Sequence, residues 1–155
     1  MHLFRVSPVK FARDTSGEGA RLYGARWNPK GIPVLYTATT GSLAVLESLV
    51  HASQNEGPVS RVLVTYELSD TVSVNRVELD QLPAQWSSNP PPSGLATIGK
   101  GWADQGKDLV LLVPSAVLPF GDELNALVNP RHPDFDQLQI VDVRPYLFDE
   151  RLLKS

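Results

Sequence analysis

The chain has 155 residues and a mass of 17.0 kDa, with 42% hydrophobic and 20% charged residues, which is typical of a single compact domain spanning residues 1–155. Fourteen basic and seventeen acidic residues leave a formal charge of −3, so no overall basic field attracts a phosphate backbone and we expect no direct nucleic-acid binding. The absence of cysteine excludes disulfides, thiolate nucleophiles and cysteine-ligated metal sites.

Short apolar runs separated by turn signals predict the elements of the first half of the chain. They are a strand at 3–6, a polar loop at 14–19, a turn at 25–31 that contains Asn28-Pro29, a strand at 33–37, and a helix from 43 to about 51. Ser42 is a favourable N-cap for that helix. Glu47 lies among the apolar residues of one helical face, where an unpaired carboxylate is costly to bury.

The second half predicts further strands and one more helix. The strands are at 61–68, 72–77, 109–113, 125–128 and 139–143, the helix is at 95–104, and residues 89–94 predict a proline-rich surface loop. Short strands, few helices and no regular βαβ alternation indicate an α+β domain around an antiparallel or mixed sheet. The glycine patterns of Rossmann domains and P-loops are absent.

Four polar side chains stand out by position: Arg26 before a turn, Tyr36 in a strand, Glu47 on an apolar helix face, and Ser115 at a strand end. A guanidinium binds phosphate oxygens, and a tyrosine supplies a ring face and a hydroxyl. A carboxylate can hold a ribose hydroxyl and stabilise an oxocarbenium-like transition state. The set therefore suits glycosidic cleavage of a dinucleotide, with Ser115 donating a hydrogen bond rather than attacking.

Each of these residues also has a purely structural interpretation. Arg26 could be a solvated loop charge, and Tyr36 could be a core residue with its hydroxyl at the surface. Glu47 could be a structural carboxylate paired with Arg5 or Arg26. Ser115 could simply end a strand in a turn.

Metal catalysis and a serine hydrolase are both disfavoured. The three histidines are scattered without the spacing of a metal site, and no Gly-x-Ser-x-Gly motif surrounds Ser115. The longest apolar stretch is shorter than the ~20 residues that span a bilayer, and the N-terminus does not read as a signal peptide. We therefore expect a cytoplasmic protein that does not cross a membrane.

Taken in order, several segments make the sequence resemble the RES domain family, the toxins of Xre–RES toxin–antitoxin modules. The principal matches are Gly24-Ala25-Arg26-Trp27-Asn28, Val34-Leu35-Tyr36-Thr37-Ala38, Ser42-Leu43-Ala44-Val45-Leu46-Glu47, Val113-Pro114-Ser115-Ala116, Glu123 with Asn125, Asn129-Pro130 with His132-Pro133-Asp134-Phe135, and Phe148-Asp149. They extend over nearly the whole chain.

The resemblance implies a fold related to the ADP-ribosyltransferase toxins, and NAD⁺ as a substrate rather than a cofactor. It places Arg26, Tyr36, Glu47 and Ser115 in the active site, with Arg5 as a further arginine that reaches the phosphates. The implied reaction is hydrolysis or phosphorolysis of the nicotinamide–ribose bond, which depletes cellular NAD⁺. The alternative is ADP-ribosylation of a specific protein.

The resemblance also implies a partner. Toxins of this family are restrained by an Xre-type antitoxin that carries a helix-turn-helix region and blocks the entrance to the active site. Contact with DNA would then come from the antitoxin, in keeping with the net negative charge of this chain.

Overall fold

The computed structural model describes residues 1–52 and 60–153, which form seven strands and three α-helices. The strands are β1 (His2–Pro8), β2 (Leu35–Ala38), β3 (Arg61–Leu68), β4 (Val74–Arg76), β5 (Val110–Pro114), β6 (Leu124–Val128) and β7 (Leu138–Tyr146). The helices are α1 (Glu18–Tyr23), α2 (Gly41–His51) and α3 (Ser93–Gln105). None of the described helices is long and apolar enough to cross a membrane.

All seven strands belong to one sheet, in the order β4-β5-β6-β2-β1-β3-β7. Neighbouring strands are antiparallel except β4 and β5, which are parallel, so the sheet is mixed. The expected α+β fold with a mixed sheet and flanking helices is therefore confirmed. The sheet centre joins distant parts of the sequence, because β2 lies between β1 and the much later β6.

The two faces of the sheet bury different clusters of side chains. One face buries a core that includes Leu3 of β1, Leu35 of β2 and Val64 of β3, and that extends to residues of β7. The other face carries the helices. There α2 packs through Leu43 and Ala44 on Ala38, and α3 packs through Leu95 and Trp102 on a cluster that includes Trp27, Leu111 and Leu127.

Three local predictions need correction. Helix α2 begins at Gly41 rather than after Ser42, because the Thr40 hydroxyl accepts a hydrogen bond from the Leu43 amide at 3.1 Å and so supplies the N-cap. The strand expected at 72–77 is shorter, since only Val74–Arg76 pair with β5. The loop predicted at 14–19 is shorter, because α1 begins at Glu18. The residue before this helix is Gly17, whose φ of 69° suits a glycine.

A backbone contact sets the distance between α3 and the turn that carries Arg26. A Cβ built on Gly99 of α3 would lie 1.6 Å from the carbonyl oxygen of Trp27. Helix and turn can approach this closely only because Gly99 has no side chain. Gly101, two residues further along the same helix, has no atom within 4 Å of its corresponding position.

We predict opposite effects for alanine at these two glycines. Gly99→Ala should lower the free energy of unfolding by about 3 kcal/mol or more, since neither backbone segment can move without disturbing the core. Gly101→Ala should raise it by roughly 0.5–1 kcal/mol, because alanine favours the helix. Urea unfolding of both variants checks this. Equal stability of the two would contradict the close contact.

Candidate active site

The carboxylate of Glu47 is held by two donors from other elements. Glu47 projects from α2, and its Oε1 accepts hydrogen bonds from Ser115 Oγ at 2.8 Å and from Asn125 Nδ2 at 2.7 Å. Glu47 is only half-buried, and its Oε2 receives no hydrogen bond from the described residues. The protein therefore fixes one carboxylate oxygen through two neutral donors, and the two oxygens of Glu47 differ in their surroundings.

Ser115 follows β5 directly and is fully buried. Its amide donates to the Glu123 carbonyl at 3.0 Å, which closes the connection between β5 and β6. Its Oγ accepts from the amides of Val117 and Leu118 while donating to Glu47. A hydroxyl has one donor and two acceptor positions, so this one is fully used. The geometry favours a hydrogen-bond donor to Glu47 over a nucleophile.

Arg26 lies in the turn between α1 and β2 and is anchored through one nitrogen. Nη1 donates to the carbonyls of Trp86 at 2.9 Å and Ser88 at 3.0 Å. Burial lowers the pKa of Arg26, and the charges of Glu47 and Tyr36 oppose that shift. A guanidinium stays charged at neutral pH nonetheless. Its Nε and Nη2 make no hydrogen bond to the described residues and can bind an anion.

Tyr36 uses its hydroxyl inside the protein. The hydroxyl donates to Asn28 Oδ1 at 2.7 Å and accepts from the Trp27 amide at 3.1 Å. Burial raises the pKa of Tyr36 well above its usual value, with the Trp27 hydrogen bond and Arg26 opposing the shift. The phenol is therefore neutral at physiological pH. Of the two features expected from the sequence, the hydroxyl is used inside the protein, and the half-buried ring packs against the cluster that includes Trp27.

Asn28 organises the turn that presents Arg26. The residue is 1% exposed, and its Nδ2 lies within hydrogen-bond distance of the carbonyls of Ala20, Pro29 and Ile32. Its Oδ1 accepts from Tyr36, so a single side chain ties α1, the turn and β2 together. Asn28 holds this region together through the hydrogen bonds of its buried side-chain amide. The Asn-Pro pair in the sequence predicted only the turn.

Arg5 is separated from the other predicted site residues. Arg5 pairs with Val64 of β3 and lies two residues after Leu3 on β1, so its side chain is on the same face of the sheet as those two residues. Leu3 and Val64 belong to the core on the face away from α2. Arg5 Nη1 donates to the carbonyl of Asp14 at 3.0 Å. The structure thus brings Arg26, Tyr36, Glu47 and Ser115 to one face and leaves Arg5 on the other. A phosphate contact by Arg5 stays a prediction without support from this geometry.

The structural alternative for Glu47 is wrong in its detail. Among the described residues, neither Arg5 nor Arg26 forms a hydrogen bond or an ion pair with Glu47, and the neutral donors Ser115 and Asn125 take that place. Asn125 belongs to a segment that resembles the family, but no role for it was predicted from the sequence. A feature of the sequence that points to Asn125 is its polar side chain in the strand predicted at 125–128. By strand alternation it shares a face with the apolar Leu127.

The fold is similar to that of a solved toxin complex. A chain of the Mycobacterium tuberculosis MbcT–MbcA toxin–antitoxin complex superposes with a TM-score of 0.73 over 94% of this chain and 83% of that chain, at 22% sequence identity. At that identity the similarity shows the fold.

Sequence comparison defines the family more closely. Residues 2–149 match the RES domain. The relatives include the Prs ADP-ribosylating toxin of Sphingobium, 37% identical over 93% of this chain and 89% of the relative, and Toxin Res of Photorhabdus laumondii, 34% identical over 100% and 99%. Toxin Res of Yersinia enterocolitica is 37% identical over 98% and 99%. The chain therefore belongs to the RES domain family of toxins.

We predict that Tyr36→Phe destabilises the protein even though the ring is kept. Removing the hydroxyl leaves Asn28 Oδ1 and the Trp27 amide without their partner, which should lower the free energy of unfolding by about 1–3 kcal/mol. Denaturant unfolding measures this, with Tyr23→Phe as the control, since Tyr23 is 79% exposed. Identical stability of the two variants would show that the buried hydroxyl contributes nothing.

Proposed function

We propose that this chain is a cytoplasmic toxin that cleaves the nicotinamide–ribose bond of NAD⁺. The observation that carries the proposal is the Glu47 carboxylate, which is held through Oε1 by Ser115 and Asn125 while Oε2 is left to a ligand. A carboxylate so placed can accept a hydrogen bond from a ribose hydroxyl and stabilise positive charge on the sugar. Membership of a toxin family and the ADP-ribosylating relative support NAD⁺ as the substrate.

The other residues fit the remaining parts of the dinucleotide. Arg26 has Nε and Nη2 available for phosphate oxygens, and its anchoring through Nη1 limits the freedom that substrate binding would otherwise remove. Tyr36 offers its ring face to the nicotinamide, since its hydroxyl is already bonded to Asn28. Arg26 is close enough to Glu47 for the carboxylate charge to oppose the lowering of the Arg26 pKa by burial.

The reaction follows from these placements. The bond between the ribosyl C1′ and the nicotinamide nitrogen breaks, and its electron pair leaves with the ring, which becomes neutral nicotinamide. Glu47 stabilises the oxocarbenium-like ribose that develops. A water oxygen that bonds to C1′ releases a proton to solvent, whereas inorganic phosphate bonds to C1′ through an oxygen that is already ionised. The glycosidic bond is thus exchanged without any change of oxidation state.

A second candidate acceptor is a protein side chain. The name of the Sphingobium relative, an ADP-ribosylating toxin, favours this alternative specifically. The ribosyl centre would react in the same way, and only the group that attacks C1′ would differ. The requirements for Glu47 and Arg26 are therefore common to both candidates.

We expect the purified chain to release nicotinamide from NAD⁺ and Glu47→Gln to do so about 100-fold more slowly, because the substituted amide keeps the shape but loses the charge. Chromatography of nicotinamide measures the rate, and Glu150→Gln, at an exposed position, is the matched control. A phosphate requirement indicates phosphorolysis. Labelled ADP-ribose on a macromolecule indicates transfer. Equal rates for wild type and Glu47→Gln would refute the assigned role.

We further propose that an Xre-type antitoxin with a helix-turn-helix region restrains the toxin. The support is the fold shared with a chain of a toxin–antitoxin complex and the toxin names of the relatives. NAD⁺ is needed throughout metabolism, so a cell that makes this enzyme needs such a partner.

Expression of the wild-type chain alone in a bacterial host should lower intracellular NAD⁺ and stop growth, whereas Glu47→Gln should do neither. Co-expression of the antitoxin should restore both, and the two proteins should purify as a complex that releases no nicotinamide. Growth arrest that persists with Glu47→Gln would separate toxicity from the proposed chemistry.

A further inference from the structure

Asn125 lies on strand β6, at a position whose neighbours on the same face of the sheet are apolar. Its cross-strand neighbours are Ala38 of β2 and Val113 of β5, both buried, and Leu127 on the same face of β6 is fully buried. A polar amide among such neighbours is unfavourable unless it is hydrogen-bonded. Its partner is Glu47, on the helix that crosses this face.

The chemistry of the pair fixes the orientation of the amide. An ionised carboxylate can only accept hydrogen bonds, so the NH₂ group of Asn125 must face Glu47 and its carbonyl oxygen must face away. The 2.7 Å separation from Nδ2 to Oε1 is short, as expected when the acceptor is charged. A hydrogen bond from a neutral donor to a charged acceptor is stronger than one between two neutral groups.

Ser115 and Asn125 approach the same oxygen from different elements. Ser115 lies in the turn after β5, where two backbone amides fix its hydroxyl, and Asn125 lies on β6, next to β5 in the sheet. A single donor would allow the carboxylate to rotate about that bond. Two donors from a rigid sheet and its turn restrain the rotation, so the position of Oε2 is set before any ligand arrives.

We propose that Asn125 is a positioning residue that holds Glu47 Oε1 so that Oε2 points at the ribose. The inference rests on the proposed function for its catalytic consequence, but the contact itself is independent of any substrate. Asn125 does not touch the reacting atoms. Its effect should therefore fall on the rate of bond cleavage rather than on the affinity for NAD⁺.

The contact is tested first without substrate. Asn125→Asp keeps the shape but places a second carboxylate against Glu47, and we expect its melting temperature to fall by about 5 °C at neutral pH. In a Glu47→Gln background the substituted amide can donate to the new carboxylate, so Asn125→Asp should then change the melting temperature by no more than about 2 °C. Equal losses in both backgrounds would overturn the proposal.

The catalytic consequence is tested with steady-state kinetics of nicotinamide release. Asn125→Ala should lower kcat about 10- to 100-fold, as expected for loss of one hydrogen bond to a charged group, while KM changes by no more than about threefold. Asn75→Ala, at an exposed asparagine of β4, is the matched control and should leave both constants unchanged.

The two tests distinguish the failure of this inference from failure of the proposed function. If wild type releases no nicotinamide, the proposed function fails, yet the melting temperatures still decide whether Asn125 holds Glu47. If wild type is active and Asn125→Ala alters KM alone, or neither constant, the positioning role is wrong. An unfolded Asn125→Ala leaves the decision to Asn125→Asp, which is isosteric and is measured in both backgrounds.

Discussion

A carboxylate lies on the inner side of a helix, and the surrounding structure is arranged to make that possible. Glu47 faces a sheet that is otherwise apolar beneath α2, where an unsatisfied charge would cost several kcal/mol. Donors from the end of β5 and from β6 satisfy one oxygen. The register of β6 with β2 and with β5 sets the positions of those two donors. A shift in that register would therefore displace the groups that hold Glu47.

The arginine side of the site relies on backbone groups instead. Arg26 is desolvated and anchored by carbonyls of the segment that precedes α3, and the turn that carries it is held by Asn28 and by direct contact of the Trp27 carbonyl with α3. Among residues 1–52 and 60–153, no carboxylate forms an ion pair with Arg26, and the charge of Glu47 only opposes the effect of burial on its pKa. The hydrogen bonds that hold the two charges of the site thus come from neutral groups.

The parts of this arrangement that follow periodicity could be predicted from the sequence, and the parts that depend on tertiary contacts could not. Alternation identified β3 and the buried run of β5, and the conflict between helical pattern and charge singled out Glu47. The partners of Glu47 lie 68 and 78 residues away, and local patterns carry no information about which distant strands pair. The phosphate role of Arg5 was instead implied by the family resemblance, and strand alternation places Arg5 on the face opposite Glu47.

The insertion of β6 between β2 and β5 has a consequence for when the site is completed during synthesis. The first 52 residues contain Arg26, Tyr36 and Glu47, yet β2 has no neighbour on its far side until β6 has been made, and the second donor to Glu47, Asn125, comes with that strand. A nascent or truncated chain that ends before β6 therefore lacks the assembled site. The site and the centre of the sheet are therefore completed by the same strand, so the chain cannot assemble one without the other.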